Sequence, residues 1–249
     1  MNNKNPFSLV NKRILVTGAS SGIGQAISIA ISWMGGSVII SGRNPEKLKN
    51  TLSMLCNEER DNQIIIADLT KEDDINVLID KISNIDGVVY CAGIDFRMPA
   101  KMISHDDLNL VMSTNFNGSV LLQSALLSSK KINKKSSIVF ISSIAVNSPS
   151  IGHSLYSASK GAISSYAKCL ALELAPRGIR VNCICPAMVW TDLIKRGEVT
   201  EEQLREDESK YPLKRYGTPE DIAYLAVYLL SDASSWMTGS SIDITGGSR

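Results

Sequence analysis

Two residue patterns in this chain are able to do chemistry. The first is Tyr156-Ser157-Ala158-Ser159-Lys160, read with Ser143 thirteen positions upstream. Ala158, Ala162, Ile163, Ala167, Leu170 and Leu174 recur at helical spacing, and no proline intervenes before Pro176; a helix is predicted here. Positions i and i+4 of a helix share a face, about 6 Å apart along the axis. Lys160 is therefore expected to hold its ammonium near the Tyr156 phenol and to lower its pKa from a reference of about 10. A tyrosine tuned in this way gives and takes protons near neutral pH. Ser143 follows Ser137-Ile138-Val139-Phe140-Ile141, which reads as a buried strand. A hydroxyl at the carboxyl end of such a strand lies where open α/β sheets bind ligands. Taken alone, Tyr-x-x-x-Lys fits a chance surface pair better than a catalytic one; the rest of the chain reverses that reading.

The second pattern is Thr17-Gly18-Ala19-Ser20-Ser21-Gly22-Ile23-Gly24, between the apolar run Arg13-Ile14-Leu15-Val16-Thr17 and a helical stretch reaching about Met34. Glycines permit a tight bend and close backbone approach, and the helix start offers amide donors to a pyrophosphate. Strand before and helix after is the context that makes a glycine triplet a dinucleotide turn. At the end of the next strand, where an acid would bind the ribose of NAD, the sequence reads Ser41-Gly42-Arg43-Asn44. Arg43 is suited to pair with a 2′-phosphate. NADP(H) is the expected cofactor, with NAD(H) as the alternative.

The elements that must position these groups alternate along the chain. Further strands are predicted at 37–41, 64–67, 86–91, 137–142, 179–184 and 241–244, separated by helical segments, with Thr70 as the N-cap of one. Such alternation predicts a parallel sheet with helices on both faces, a doubly wound α/β fold of the Rossmann type in one domain over 1–249. Lys130-Lys131-Ile132-Asn133-Lys134-Lys135 reads as a basic loop at a solvated helix end. Residues 187–218 form a long connection with acidic blocks on helical stretches and are expected to serve as a substrate lid.

Composition narrows the function classes. Of 249 residues, 44% are hydrophobic and 20% charged, enough for a sizeable core, and the net charge of +1 gives no reason to expect nucleic acid as a partner. The longest apolar runs are strand-length, so no membrane span is predicted, and the N-terminus lacks a signal-peptide core; a cytoplasmic location is expected. Five cysteines without a CxxC suit reduced thiols. Cys183 and Cys185 are expected on one buried strand face, and no metal site is expected.

Together these motifs resemble the short-chain dehydrogenase/reductases of the single-domain branch over nearly the whole chain. The resemblance rests on Thr17–Gly24, Asp68, Ala92-Gly93, Asn115, Ser143, Tyr156, Lys160 and the Pro186 to Thr191 segment, all in family order. It implies catalysis by Asn115, Ser143, Tyr156 and Lys160. It implies cofactor contacts from Gly18, Ser20, Ser21, Gly22, Ile23, Gly24, Arg43, Asp68, Leu69, Ala92, Gly93, Tyr156, Lys160, Pro186, Val189 and Thr191. Within that set Asp68 would bind the adenine amino group, Lys160 the nicotinamide ribose and Thr191 the carboxamide or phosphates. Asn115, in a helix that disfavours it, would hold a water linking the lysine to solvent.

Three departures stand out: Tyr90-Cys91 for the family's paired asparagines, Ala187 after Pro186, and Thr245 before Gly246-Gly247. The resemblance implies carbonyl–alcohol oxidoreduction, most like the 3-oxoacyl-(acyl-carrier-protein) reductases, with a small-molecule or acyl-thioester substrate. Sugar, steroid or small secondary-alcohol dehydrogenation is the alternative; a nucleotide sensor that has lost catalysis is the reading from another class. The pocket is expected around Phe96, Ile144, His153 and residues 188–190, largely apolar with little fixed charge. His153 is expected to be a neutral loop residue and His105 a helix-start residue. Arg97, Lys101 or Lys195 would face an acidic carrier protein. The family also implies a homotetramer.

Overall fold

The structure, a computed structural model, describes residues 5–56, 61–192, 194 and 200–248. Seven short runs rich in Val and Ile form β1 (Arg13–Thr17), β2 (Ser37–Gly42), β3 (Gln63–Ile66), β4 (Ile85–Tyr90), β5 (Ile132–Ile141), β6 (Arg180–Pro186) and β7 (Ser241–Ile244). They make one parallel sheet in the order β3-β2-β1-β4-β5-β6-β7. The order reverses between β1 and β4, which opens a crevice at the carboxyl edge beside the glycine turn.

The helices are α1 (Gly22–Trp33), α2 (Pro45–Ser53), α3 (Glu72–Lys81), α4 (His105–Met112), α5 (Gly118–Ser128), α6 (Ser154–Leu174), α7 (Glu201–Lys210) and α8 (Pro219–Leu230). Strands buried on both faces need helices on both. On one face Ile27 and Ile31 of α1, Leu48 of α2 and Ala226 and Leu230 of α8 close over Ile14, Val16, Ile40 and Val89. On the other, Ile75 and Leu78 of α3, Leu122 and Leu126 of α5, and Ile163, Ala167 and Leu170 of α6 close over Leu15, Val88, Ile138 and Phe140. Each fully buried aliphatic side chain contributes roughly 1.5–3 kcal/mol. Cys183 and Cys185 share one face of β6, as their alternation predicts. His105 opens α4 behind Ser104, whose side chain and Asp107 form a capping box.

Two local expectations are corrected. Thr70 does not cap α3: Lys71 occupies that position without a side-chain bond. Thr70 N and Oγ1 instead donate to Asp68 Oδ1 at 3.1 and 2.8 Å, which closes a turn one residue too early for capping. The basic stretch 130–135 is a solvated helix end only at its start, where Lys130 N and Lys131 N donate to Leu127 O and Leu126 O at 3.1 and 2.9 Å. Residues from Ile132 belong to β5, whose pairing with β4 slips between Ile85↔Ile132 and Gly87↔Ser137. Lys130 takes a left-handed φ of 55° at the end of α5, and Lys135 one of 62° within that irregularity.

Residues 187–218 carry α7 and a third apolar cluster. Leu204, Tyr211 and Tyr216 pack with Ala187, Met188, Trp190 and Ile194. Trp190 N donates to Gly217 O at 2.9 Å and Gly217 N to Met188 O at 3.0 Å, tying the two ends of the segment. Glu208 Oε1 accepts from Trp190 Nε1 at 2.8 Å and from Tyr216 N at 2.9 Å. Residues 193 and 195–199, and with them Lys195, lie outside the described residues.

Candidate active site

The glycine turn is held by sterics as much as by conformation. Gly18 has φ +66°, and a Cβ there would meet Ala92 N at 2.7 Å; one at Gly24 would meet Gly18 O at 2.3 Å. No side chain fits at either place. Thr17 fixes the neighbouring strand end, accepting from Cys91 N and Ala92 N at 3.2 and 3.4 Å. The backbone at Cys91 and Ala92 is thus fixed by Thr17, although the family's paired asparagines are replaced here. Tyr90 points away into the core, stacked on Phe140 at 4.6 Å with its hydroxyl 3.0 Å from Gln123 Oε1.

The crevice suits a dinucleotide on its own geometry. Ser21 makes no side-chain cap on α1, whereas Asn44 caps α2 by accepting from Lys47 N. The first-turn amides of α1 are left for another acceptor. A Cβ at Gly22 would reach within 3.2 Å of Thr191 Cγ2, so the turn and the Pro186–Thr191 segment are opposite walls of one cleft. Ala187 N donates to Ile244 O at 3.1 Å and Val189 bridges Gly217, which seats that segment on β7 and on the start of α8. Ser20 flanks Gly42 at the end of β2. Arg43 is exposed there, and Lys47 pairs with Asp192 across the cleft at 3.6 Å.

Burial raises the Asp68 carboxyl, but bonds from Thr70 and the charges of Arg43 and Lys71 outweigh it and hold the group below the usual range. Asp68 is thus ionised beside Arg43, with Oδ2 unused by Thr70. Leu69 packs against α5 at Gly118, where a Cβ would meet Leu69 O at 2.7 Å. These three residues lie at the β2–β3 end of the edge, away from Tyr156.

At the β4–β5 end, Ser143, Tyr156, Lys160 and Asn115 converge. Ser143 is buried after β5, its Oγ accepting from Ala145 N at 3.1 Å. Lys160 is buried, donates Nζ to Ile141 O at 3.0 Å and lies 5.8 Å from the Tyr156 ring centre. Asn115 sits in a π-helical turn, Ser113–Asn117, joining α4 to α5. Both ends of its amide are engaged: Oδ1 accepts from Ile94 N at 2.8 Å, and Nδ2 donates to Ile94 O and Ser159 Oγ at 3.0 Å. The widened turn aims a residue that a regular helix would place elsewhere. A Cβ at Gly93 would come within 3.3 Å of Lys160 Nζ and 3.2 Å of Asn115 Oδ1, so Gly93 also lines this corner.

The electrostatics correct two expectations. Burial pushes the Tyr156 phenol up to about 12; its interaction with Ser143 lowers it, and the charge of Asp95 raises it again. Burial also lowers the Lys160 pKa, so the lysine alone does not deliver a depressed tyrosine. Nor is the mouth of the site free of charge. His153, at the N-cap position of α6, lies 3.5 Å from Asp95 Oδ1 through Nε2, contacts Ser150 Oγ at 2.7 Å through Nδ1, and meets the Tyr156 ring edge-on at 6.1 Å. Sequence reasoning did not single out Asp95, although it is the only acid in the stretch 91–104 that follows β4. Ser159, which holds Asn115, was also missed; so was Ser142, whose Oγ bonds Lys160 O and Ser164 Oγ at 3.1 and 2.8 Å.

Comparison with known proteins agrees with this arrangement. Residues 18–249 match a family model described as enoyl-(acyl carrier protein) reductase. A 3-oxoacyl-(acyl-carrier-protein) reductase of Rickettsia typhi is 36% identical over 242 residues, covering 97% of this chain and 98% of the relative. The chain belongs to the short-chain dehydrogenase/reductase family. A solved member titled as a short chain dehydrogenase/reductase family protein superposes with a TM-score of 0.84 at 28% identity, covering 96% of this chain and 98% of the other. A structure assigned as an NAD(P)-dependent gluconate 5-dehydrogenase of Beutenbergia cavernae, with NADP bound, gives 0.88 at 31% identity over 98% of both chains. Membership makes this chain an oxidoreductase of the Rossmann type. No helix among the described residues is long and apolar enough to cross a membrane, and among them no group of three or more His, Cys, Asp or Glu is placed to hold a metal.

Proposed function

We propose that this short-chain dehydrogenase/reductase interconverts a carbonyl and a secondary alcohol with NADP(H). The observation that carries the reading is the convergence of Ser143, Tyr156 and Lys160 beside the cleft between the glycine turn and Thr191. The nicotinamide supplies or accepts the hydride at the carbonyl carbon. Ser143 Oγ holds the carbonyl oxygen by hydrogen bond, and Tyr156 gives that oxygen its proton in reduction or takes it back in oxidation. Lys160, anchored on Ile141 O, orients the nicotinamide ribose and keeps positive charge behind the phenol. With burial holding the phenol up, the oxidised ring's own charge is needed to bring Tyr156 into a working range. Because the Asn115 amide is committed to Ile94 and Ser159, a relay water there would rest on a main-chain carbonyl.

Arg43 recognises the 2′-phosphate and Asp68 the adenine amino group; Leu69, Ala92, Pro186 and Val189 line the remaining wall, and residues 187–218 cover the substrate. The described segment supports a lid in having its own apolar cluster, separate from both sheet cores. The substrate is a 3-oxoacyl thioester, in line with the Rickettsia typhi relative. Oxidation of a sugar acid is the second reading, supported by the gluconate dehydrogenase neighbour and by the polar pair at Asp95 and His153. The working form is a cytoplasmic homotetramer. Leu121 and Leu172, exposed on α5 and α6, are the surfaces this assembly would cover.

Tyr156→Phe tests the chemistry. Turnover of an acetoacetyl thioester and of 5-ketogluconate with NADPH is expected to fall by about 10²–10⁴-fold, with NADPH binding near normal. Retained turnover would remove Tyr156 from its role, and NADPH binding without turnover of either compound by the parent protein would favour a sensor.

A further inference from the structure

Tyr156 is flanked by charges from several elements. Its own helix contributes Lys160, and β5 contributes Ser143 at its end. The loop after β4 contributes Asp95, and Cys91 lies within electrostatic reach of Lys160, as do Cys183 and Cys185 of β6. Asp95 reaches Tyr156 by way of His153, whose ring meets the phenol ring edge-on at 6.1 Å, and its charge acts on Tyr156 and Lys160 alike. It is not a loose surface group: His153 Nε2 stands 3.5 Å from it, and His153 is fixed by Ser150 on the other side. The loop backbone is pinned where it faces α6. Met98 N donates to Gly152 O at 2.8 Å, and the Arg97 side chain covers Gly152, where a Cβ would meet Arg97 Cγ at 3.0 Å. The contact therefore joins the loop after β4 to the segment that starts α6, three residues before Tyr156.

We propose that Asp95, positioned beside Tyr156 by His153, is a tuning residue that adds to burial in favouring the protonated, proton-donating form of Tyr156. This rests on Tyr156 being the proton donor of the reaction. A negative charge beside a phenol opposes its ionisation. The pair therefore keeps Tyr156 ready to donate, extends the pH range of carbonyl reduction upward and delays the rise of alcohol oxidation. Arg97, two residues on, lies over Gly152 beside His153 and opposes the charge of Asp95, but it is exposed and solvent screens it. Asp95 acts through Tyr156 and is a positioning and tuning residue, not one that touches the reacting atoms.

The test is a direct titration of Tyr156 in the full chain saturated with NADP⁺, read as phenolate ultraviolet absorption with the matching Tyr156→Phe protein subtracted. The subtraction is needed because the chain has seven tyrosines. Asp95→Asn and Asp95→Ser are each expected to lower the midpoint by about half to one pH unit, a modest size because the Asp95 side chain is 43% exposed. His153→Gln should shift it the same way by less, since it frees Asp95 without removing it, and should add nothing in the Asp95→Asn background. The wild-type midpoint should fall in molar salt, which screens Asp95. An unchanged midpoint in both Asp95 variants, with NADP⁺ binding intact, overturns the proposal while leaving the Tyr156 mechanism standing. Retained turnover in Tyr156→Phe overturns both.

Discussion

Removing Glu208 should loosen the segment that carries α7 while leaving the sheet almost untouched. One carboxylate oxygen receives both Trp190 Nε1 and Tyr216 N, at 2.8 and 2.9 Å, and its side chain is only 13% exposed. Alanine strands both donors. The Tyr216 amide belongs to a residue that is 1% exposed, and a buried donor without a partner costs about 1–3 kcal/mol. Trp190 is partly buried, so its indole recovers some hydration and adds about 1 kcal/mol. A total near 3 kcal/mol corresponds to about a 100-fold rise in local opening. The loss should stay local because the Leu204–Tyr211–Tyr216 cluster is separate from both sheet cores. Hydrogen exchange in Glu208→Ala should thus accelerate about 100-fold at α7 and Tyr216 and stay unchanged in β4 and β5. KM should rise more than kcat falls.

Trp190 and Tyr216 hold this carboxyl below its ordinary range, burial opposes them, and Arg205 assists. Its stabilising effect is therefore complete above the unfolded carboxyl value and is lost as pH falls through the lower folded value. The same acceleration should appear in the parent protein on acidification. Uniform exchange across sheet and segment in Glu208→Ala would refute the local latch, as would no acceleration at all.

Two other substitutions complete the set. Arg43→Ala should raise KM for NADPH by about 10–100-fold and leave NADH within a few-fold, since only the 2′-phosphate loses its bidentate partner; equal losses for both cofactors in steady-state kinetics would remove Arg43 from phosphate recognition. Tyr90→Phe keeps the stack on Phe140 and strands Gln123, whose Nε2 already lacks a partner among the described residues. A cost of about 1–2 kcal/mol in denaturant unfolding with unchanged kcat/KM is expected, and a change in kcat/KM would mean that β4 transmits strain to Gly93.

Much of the fold was legible because its signals are local. Strand-length Val and Ile runs punctuated by glycine turns give the parallel sheet. Helical spacing places Lys160 one turn beyond Tyr156, while the strand ending at Ile141 delivers Ser143 to the same edge. What was not legible depends on pairs distant in sequence. Asp95 and His153 meet only because two loops are pinned together at Met98 and Gly152. Glu208 reads as part of an acidic block on a helical stretch, which does not show that it accepts inward from Trp190 and Tyr216. Burial decides the phenol of Tyr156, and spacing on a helix carries no information about it. The irregularity in β5 turns on a left-handed Lys135, a conformation for which lysine carries no sequence signal.

The π-helical turn at Ser113–Asn117 constrains how this chain can change. It offsets the two halves of an otherwise continuous rod, α4 before it and α5 after it. A widened turn carries one residue more than a regular one, so deleting that residue would straighten the rod and leave Leu122 and Leu126 facing the core they now fill. Keeping those leucines in place while straightening the rod would carry Asn115 off Ile94 and Ser159. The turn thus serves Asn115 and not the core, whereas a single-residue insertion within α5, which no widened turn absorbs, should swing the apolar face beyond it by about 100°.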